Sequence, residues 1–286
     1  MIFSFICVKC FPNEASDSVD FMRMPSTNID IVVPTYHRYQ ILAETLESVQ
    51  GQTYPHWECW IAEDGESEKT QATVAPFLQD RRFHYLPGEH SGTPAMPRNK
   101  AMRAGKAPYI AFLDDDNIWL PGKLEQQVVF LKEHPYCVLL GSNALIMKEN
   151  QDYRKETLPL YFKKAPFGLV PYEKLVEDDY FINFSAVIQR SALRYAGFQN
   201  ETLHKGPDGE DHDLWLRIGP LGEMWLMPLP LVVYRDLSSK HAAPSKTAAE
   251  RRKEAYRTRF KIYQSALNGV GEMPSPLHFP EYDLQE

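Results

Sequence analysis

The sequence predicts a single α/β domain, with a mixed, mostly parallel central sheet, helices on both faces and a helical tail at the C-terminal end. Three observations predict it. Short β-branched runs alternate with stretches of helical apolar spacing through the first half, the pattern of parallel strands joined by covering helices. Acidic residues cluster where those apolar runs end, the place where open sheets bind ligands. The second half separates its apolar runs with longer irregular segments, so it is expected to cover the site that the first half makes. The domain is expected over residues 27–236, as a nucleotide-binding type of half (27–130) and a covering half (131–236). Residues 1–26 read as an N-terminal appendage and 237–286 as a helical extension.

Each element follows from its residues. Ile29-Asp30-Ile31-Val32-Val33 is a β-branched run stopped by Pro34, which reads as a buried strand ending in a loop. Ile41, Leu42, Thr45, Leu46 and Val49 recur at helical spacing, with Gly51 placed to close the helix. Trp57 to Ala62 is the next strand, ending at Glu63-Asp64-Gly65. Ser67 is positioned to cap a helix running to about Leu78, and Phe83 to Leu86 is a brief third strand. Pro97 to Ala104 reads as helix, Tyr109 to Leu113 as another buried strand, and a further helix starts near Pro121. In the second half Cys137 to Met147, Ile182 to Gln189 and Met224 to Tyr234 read as strands. Asn150 to Pro171, rich in Lys, Tyr and Pro, is the kind of long loop that carries function.

Composition narrows the function. Thirty-one Lys and Arg against 38 Asp and Glu leave a formal net charge of -7 over 286 residues. That balance argues against a duplex nucleic-acid binder, whose surface must neutralise phosphates. With 43% hydrophobic and 24% charged residues the chain is ordinary globular chemistry, not wholesale disorder. Four cysteines are too few for a disulfide framework, and Cys7 with Cys10 is a lone CxxC, read as free thiols rather than a zinc site. No apolar run of about 18 residues occurs, so no transmembrane helix is expected. The setting is read as cytoplasmic, with a peripheral position on the cytoplasmic membrane face as a variant.

The chemistry concentrates in two acidic clusters. Asp114-Asp115-Asp116 follows directly on a buried strand. Three adjacent carboxylates repel one another and need a cation, either a metal ion or Arg and Lys. Hard oxygen ligands suit Mg²⁺ or Mn²⁺, which complete their shells with phosphate oxygens. The second cluster opens a helix after Gly209, in Glu210-Asp211-His212-Asp213-Leu214-Trp215-Leu216-Arg217. Acidic residues suit a helix N-terminus, and beside a metal site one of these carboxylates is placed to act as general base on an incoming hydroxyl.

These residues carry a resemblance. Asp30 to Arg38 resembles the opening strand of the family 2 glycosyltransferases, inverting enzymes with the Rossmann-like GT-A fold. Ser48 with Gln52-Thr53-Tyr54 is similar to that family's S-x-x-x-Q-T-Y stretch, Ile61 to Glu66 to its V-D-D-G-S element and Pro97-Arg98-Asn99 to its A-R-N. Leu113 to Asn117 is similar to its D-x-D segment, and Glu210 to Arg217 to its E-D-x-D-L-W-x-R helix. Six elements in order make the match specific.

The resemblance implies roles position by position. Pro34, Thr35 and Tyr36 would line the nucleoside pocket, and Asp64 would accept from the base's imide N–H. Arg98 would reach the nucleotide and the acidic cluster. Asp114, with Asp115, would contact ribose or donor sugar, and Asp116 would hold Mn²⁺ or Mg²⁺ on the diphosphate. Asp211 would be the base, Glu210 would position acceptor or sugar, and Trp215 and Arg217 would support their helix. Where the family often supplies a His after the last strand, Leu237 stands, and the next histidine is His241. Asp114 and His241 are therefore secondary candidates for the metal. The implied partners are a nucleoside-diphosphate sugar, UDP-linked by analogy through Asp64, and a saccharide or lipid-linked acceptor, with surface polysaccharide assembly as the setting. The alternative is an inactive partner protein that keeps the nucleotide-sugar pocket; retention of both Asp116 and Asp211 argues against it. A sugar-phosphate nucleotidyltransferase would need an early Gly-rich loop, and Pro34 to Tyr39 contains no glycine.

The tail adds one expectation. Lys246, Arg251, Arg252, Lys253, Arg257, Arg259 and Lys261 face only Glu250 and Glu254, while Ala249, Tyr256, Phe260, Tyr263 and Leu267 recur at helical spacing. Residues 246–267 thus read as a basic amphipathic helix, packed on its own domain or laid on an anionic membrane.

Overall fold

The computed structural model describes residues 28–203 and 209–237. The N-terminal appendage, the Cys7–Cys10 pair, His241 and the basic stretch 246–267 lie outside the described residues. In order come β1 (Ile29–Thr35), α1 (Tyr39–Gln50), β2 (Trp57–Glu63), α2 (Glu68–Val74), β3 (Phe83–Leu86), α3 (Ala95–Ala104) and β4 (Tyr109–Phe112). Then follow β5 (Ile118–Trp119), α4 (Lys123–Glu133), β6 (Cys137–Lys148), β7 (Gly168–Leu169) and α5 (Tyr172–Glu177). β8 (Val187–Gln189), α6 (Leu193–Ala196), α7 (Glu210–Ile218) and β9 (Glu223–Asp236) complete the set.

The strands form one sheet in the order β3-β2-β1-β4-β8-β6-β9-β5, with β7 paired to β9. The first four of these are parallel. β8 then runs antiparallel to both β4 and β6, β6 and β9 are parallel, and β5 and β7 run antiparallel to β9. The sheet is mixed as expected, but its mostly parallel character holds for the first half only. Parallel pairs need long crossovers, usually helices, and the second half does not alternate strand and helix regularly enough to supply them.

β1 explains the two-sided core. Ile29, Ile31 and Val33 pack with Leu42, Leu46 and Val49 of α1 on one face. Val32 packs with Met102 of α3 and with Leu214 and Trp215 of α7 on the other. Successive strand residues point to opposite faces, so a strand covered on both sides reads as a continuous apolar run. β1 continues through Pro34 and Thr35, past the expected stop. Its pairing with β4 ends at Val32↔Phe112, while Pro34 stays in register with Ala62 of β2. The proline nitrogen thus falls beyond β4, where no ladder bond is lost.

Two other expectations shift. Ser67 caps α2, its Oγ accepting from the Thr70 N–H at 3.3 Å, but the helix stops at Val74 and a separate 3-10 turn covers Phe77–Gln79. The strand expected from Ile182 is only Val187–Gln189, because Asn183–Ser185 forms a 3-10 turn. There the Ser185 N–H and hydroxyl both donate to the Ile182 carbonyl, at 2.9 Å each, a local bond that competes with the ladder. Among the described residues no helix is long and apolar enough to cross a membrane, and Cys59 and Cys137 are buried free thiols.

Candidate active site

The carboxyl ends of β1, β2 and β4 open into a cleft of about 490 Å³. Pro34, Thr35, Tyr36 and Arg38 line it from β1, Asp64 from β2, Arg98 from α3, and Asp114, Asp115 and Asp116 from β4. A second hollow of about 560 Å³ lies by the start of β4, among Met102, Tyr109, Arg190 and Phe198, and none of its lining residues is a carboxylate.

The β1 edge of the cleft depends on an unusual turn. His37 has a φ of 52°, a left-handed conformation uncommon for a residue with a Cβ. It separates Tyr36 from Arg38 at the start of α1. Tyr36 is 44% exposed and stacks on His90 at 4.4 Å and 14°. Opposite, Asp64 is buried and organises the loop after β3. Its Oδ1 accepts from the Ser91 N–H at 2.6 Å and the Ser91 hydroxyl at 2.7 Å, and its Oδ2 accepts from the Gly92 N–H at 3.1 Å. Gly65, at φ 103°, makes the turn that follows; a Cβ there would be strained and would sit 3.4 Å from that of His90. Asp64 therefore enters the cleft together with the 90–92 loop, a partnership that no local pattern announced.

The acidic triplet is neutralised by two arginines. Arg98 is buried and joins Asp114 and Glu210, at 2.6 Å each. Burial opposes its charge, but Asp114 and Glu210 outweigh that and raise its pKa. Arg38 clasps Asp116 and stands 3.7 Å from Asp115. Burial pushes Asp115 up to about 7 against the pull of Arg38. Asp116 is also raised, by burial and then by Asp114, with Arg38 opposing. Among the described residues no three His, Cys, Asp or Glu side chains gather as a ready metal-holding group. Arginine supplies part of the positive charge that the triplet calls for.

The turn carrying the triplet is held from behind. Thr45 Oγ1 on α1 lies 3.0 Å from the Asp115 carbonyl and 2.9 Å from that of Asn117. Arg235 near the end of β9 donates from Nε to the Asp116 carbonyl at 2.9 Å and reaches Glu44 of α1 at 2.5 Å. Asn183 donates to Asp114 at 3.0 Å. Arg38, Arg235, Asn183 and the 90–92 loop were missed by sequence reasoning. Only Arg38 carried a signal, its place two residues beyond Tyr36.

Behind Arg98, α7 brings Glu210, Asp211 and Asp213 into its first turn, where the helix dipole favours negative charge. Asp211 is raised by burial and then by Glu210, with Arg98 opposing. Its neighbour in the acidic field is Asp179, itself raised by burial and by Asp211 while His212 opposes; Asp179 too was missed. None of the α7 residues, Glu210, Asp211, Trp215 and Arg217 included, lines the cleft itself. Trp215 is fully buried beneath it, edge-on to Phe112 at 5.5 Å, and donates to the Phe181 carbonyl at 3.1 Å. Arg217 pairs with Asp213 at 2.6 Å and donates to the Ala196 carbonyl. Both brace α7.

The model of the glycosyl transferase family 2 domain matches residues 30–196. An Escherichia coli protein, UDP-Glc:alpha-D-GlcNAc-diphosphoundecaprenol beta-1,3-glucosyltransferase WfgD, is 30% identical over 190 residues, covering 66% of this chain and 69% of the relative. Among solved structures, S. aureus TarS 1-349 in complex with UDP-GlcNAc superposes with a TM-score of 0.61 at 18% identity, covering 86% of this chain and 68% of that one. The mannosyltransferase PcManGT from Pyrobaculum calidifontis, in complex with GDP-Man and Mn²⁺, gives 0.56 at 15% identity, covering 88% and 78%. These two likenesses bear on the fold, and the domain match over more than half of the chain bears on the family. The chain belongs to glycosyl transferase family 2.

Proposed function

We propose that this glycosyltransferase moves a sugar from a UDP-sugar to a hydroxyl of a saccharide or lipid-linked acceptor in surface polysaccharide assembly, with inversion and with a divalent metal ion. The observation that carries the reading is Arg98, buried between Asp114 at the end of β4 and Glu210 at the start of α7. One side chain ties the donor-side carboxylates to the helix of the candidate base. The E. coli relative's name supports the donor and acceptor classes: it is a UDP-Glc enzyme acting on a GlcNAc-diphosphoundecaprenol.

In this reading Pro34, Thr35, Tyr36 and Asp64 bind the nucleoside, and Asp114 and Asp115 border the ribose and sugar. Asp211 takes the acceptor proton as the acceptor oxygen bonds to the anomeric carbon. The bond to the diphosphate breaks on the opposite face, and the diphosphate departs with the electron pair. A single displacement needs no enzyme nucleophile, unlike the paired carboxylates of retaining glycosidases. An ordinary aspartate, near ~4, is a weak base for an alcohol; the raised pKa of Asp211 brings it closer to the task. Glu210 positions the base through Arg98.

The donor set suits a hard divalent ion held by Asp116, with Asp114 beside it, because Mg²⁺ and Mn²⁺ need few protein carboxylates when phosphate oxygens complete the shell. Asp116 is pushed up by burial and by Asp114, so the cluster accepts further positive charge beside the exposed Arg38. When bound, such an ion neutralises charge developing on the leaving diphosphate.

Calorimetric titration with UDP, dTDP, GDP and CDP, each with and without Mn²⁺, tests the reading. UDP should bind best and more tightly with Mn²⁺, and Asp116→Ala should lose the metal-dependent part. Asp211→Asn should bind UDP as wild type does while transfer falls about 10²–10⁴-fold. Folded protein that binds none of the four nucleotides overturns the proposal.

A further inference from the structure

The connection between β6 and β7 sets a row of aromatic rings beside the candidate base, and the donor chemistry uses none of them. Tyr161 meets Phe162 edge-on at 4.9 Å and 82°, and Tyr234 at 5.6 Å and 86°. Tyr234 stacks on Phe184 at 5.6 Å and 11°, and Phe162 reaches Tyr180 at 6.4 Å.

The row is held rigidly. Leu160 bridges Leu145 in antiparallel fashion, and the Tyr161 N–H donates to the Ala144 carbonyl at 2.8 Å. The buried Asn143 grips Phe162 from both sides: its Oδ1 accepts from the Phe162 N–H and its Nδ2 donates to the Phe162 carbonyl, each at 3.0 Å. A loop clamped to a central strand keeps its side chains in place. Yet Tyr161, so fixed, is 39% exposed, and an aromatic ring held open is a ring prepared for a ligand face.

The row also lies along the segment that joins α7 to the acidic triplet. Burial raises the pKa of the Tyr161 hydroxyl, with Tyr234, Asp179, Asp178 and Asp211 adding to it, and burial raises that of Tyr234, with Asp236, Asp116 and Asp114 adding to it. The same stretch of chain links both ends, since Asn183 donates to Asp114 at 3.0 Å and the Phe181 carbonyl accepts from Trp215 of α7 at 3.1 Å. The rings therefore run from the base helix to the acidic triplet.

We propose that Tyr161, backed by Tyr234, is the stacking platform of the acceptor subsite, and that the acceptor presents an uncharged pyranose ring there rather than an acyclic polyol phosphate. This rests on the transferase reading above. A pyranose offers a flat C–H face to an aromatic ring, with its hydroxyls directed at surrounding carboxylates. An acyclic polyol has no such face and loses more freedom on binding. A phosphate-bearing chain would bring further negative charge into a field that already holds several carboxyl groups.

The test uses the full chain saturated with UDP and Mn²⁺. Binding of the octyl β-glycosides of glucose, galactose and N-acetylglucosamine is followed by saturation-transfer NMR, with ribitol 5-phosphate as the acyclic comparison. At least one glycoside should bind through its ring protons, and ribitol 5-phosphate should not. Tyr161→Ala should weaken that glycoside about ten-fold, the loss of one aromatic contact, with UDP affinity unchanged, and Tyr161→Phe should restore it. Binding of a glycoside equally to wild type and Tyr161→Ala overturns the platform, as does a preference for ribitol 5-phosphate or failure of all three glycosides on UDP-loaded protein. Loss of UDP binding in wild type is a different result and overturns the transferase reading itself.

Discussion

Two arginines answer the same acidic triplet in opposite ways. The Arg98 side chain is 7% exposed and holds Asp114 and Glu210 at 2.6 Å each, while that of Arg38 is 43% exposed and covers Asp116 from the solvent side. Neutralising a carboxylate cluster is thus divided into two tasks. Arg98 joins the two halves of the domain and has no room to leave. Arg38 meets the cluster at its solvent edge, between Asp115 and Asp116. Guanidinium suits the first task because its planar fork serves two carboxylates at once. Exposure suits the second because a solvated ion pair contributes little stability and is cheaply exchanged.

The largest expected effect tests the buried arginine. Arg98→Ala strands Glu210 and Asp114 without their cation, and breaking a buried pair costs about 3–5 kcal/mol. Urea unfolding should show that loss; a change under about 1 kcal/mol would put both arginines in one class. Lysine should rescue only part of it, having no fork.

A smaller effect is expected at Asp179, where His212 rather than an arginine faces the carboxylate and Asp178 and Asp211 repel it. Its folded pKa is raised, chiefly by burial, so the folded state keeps a proton that the unfolded chain releases above about 4. Stability should therefore fall as pH rises from there towards the raised folded value. Asp179→Asn should flatten that slope and keep the bond by which Asp179 Oδ1 accepts the Phe181 N–H at 3.0 Å. Unfolding curves at a series of pH values check it, and an unchanged slope would show that the buried acid carries no such strain.

The smallest effect on stability belongs to Arg38→Ala, under about 1 kcal/mol. Its consequence should appear in binding instead. With Asp116 uncovered, less Mn²⁺ should be needed to reach half-maximal UDP binding in a metal titration. A higher requirement would mean that Arg38 serves the nucleotide directly rather than holding a place.

Much of this was legible from residues alone, and the reasons are local. Strand and helix periods in residues 29–113, the Ser67 cap and the carboxylates at strand ends are short-range patterns, and each appears in its expected order, with β1 running on through Thr35 and α2 ending early at Val74. Six motifs in order pointed to the family before any fold was seen. The misreadings share a cause as well. Ile182 to Ser185 is apolar enough for a strand, but a side-chain hydroxyl bonded to a nearby carbonyl bends it into a turn. α2 likewise stops at Val74, where a separate 3-10 turn at Phe77–Gln79 takes over.

By itself, then, the sequence determined the parallel half of the sheet, the order of its elements and the strand ends at which acid collects, because periodicity and capping act over a few residues. Tertiary structure decided which cation meets which carboxylate and which strand meets which. Arg38 finds Asp116 across 78 residues and Arg98 finds Glu210 across 112, and β8 enters antiparallel between β4 and β6. Arg98 and the strand partners are chosen by burial, where an unpaired charge or an open strand edge is too costly to leave, and Arg38 by the turn that sets it beside the triplet; both are properties of the packed chain alone.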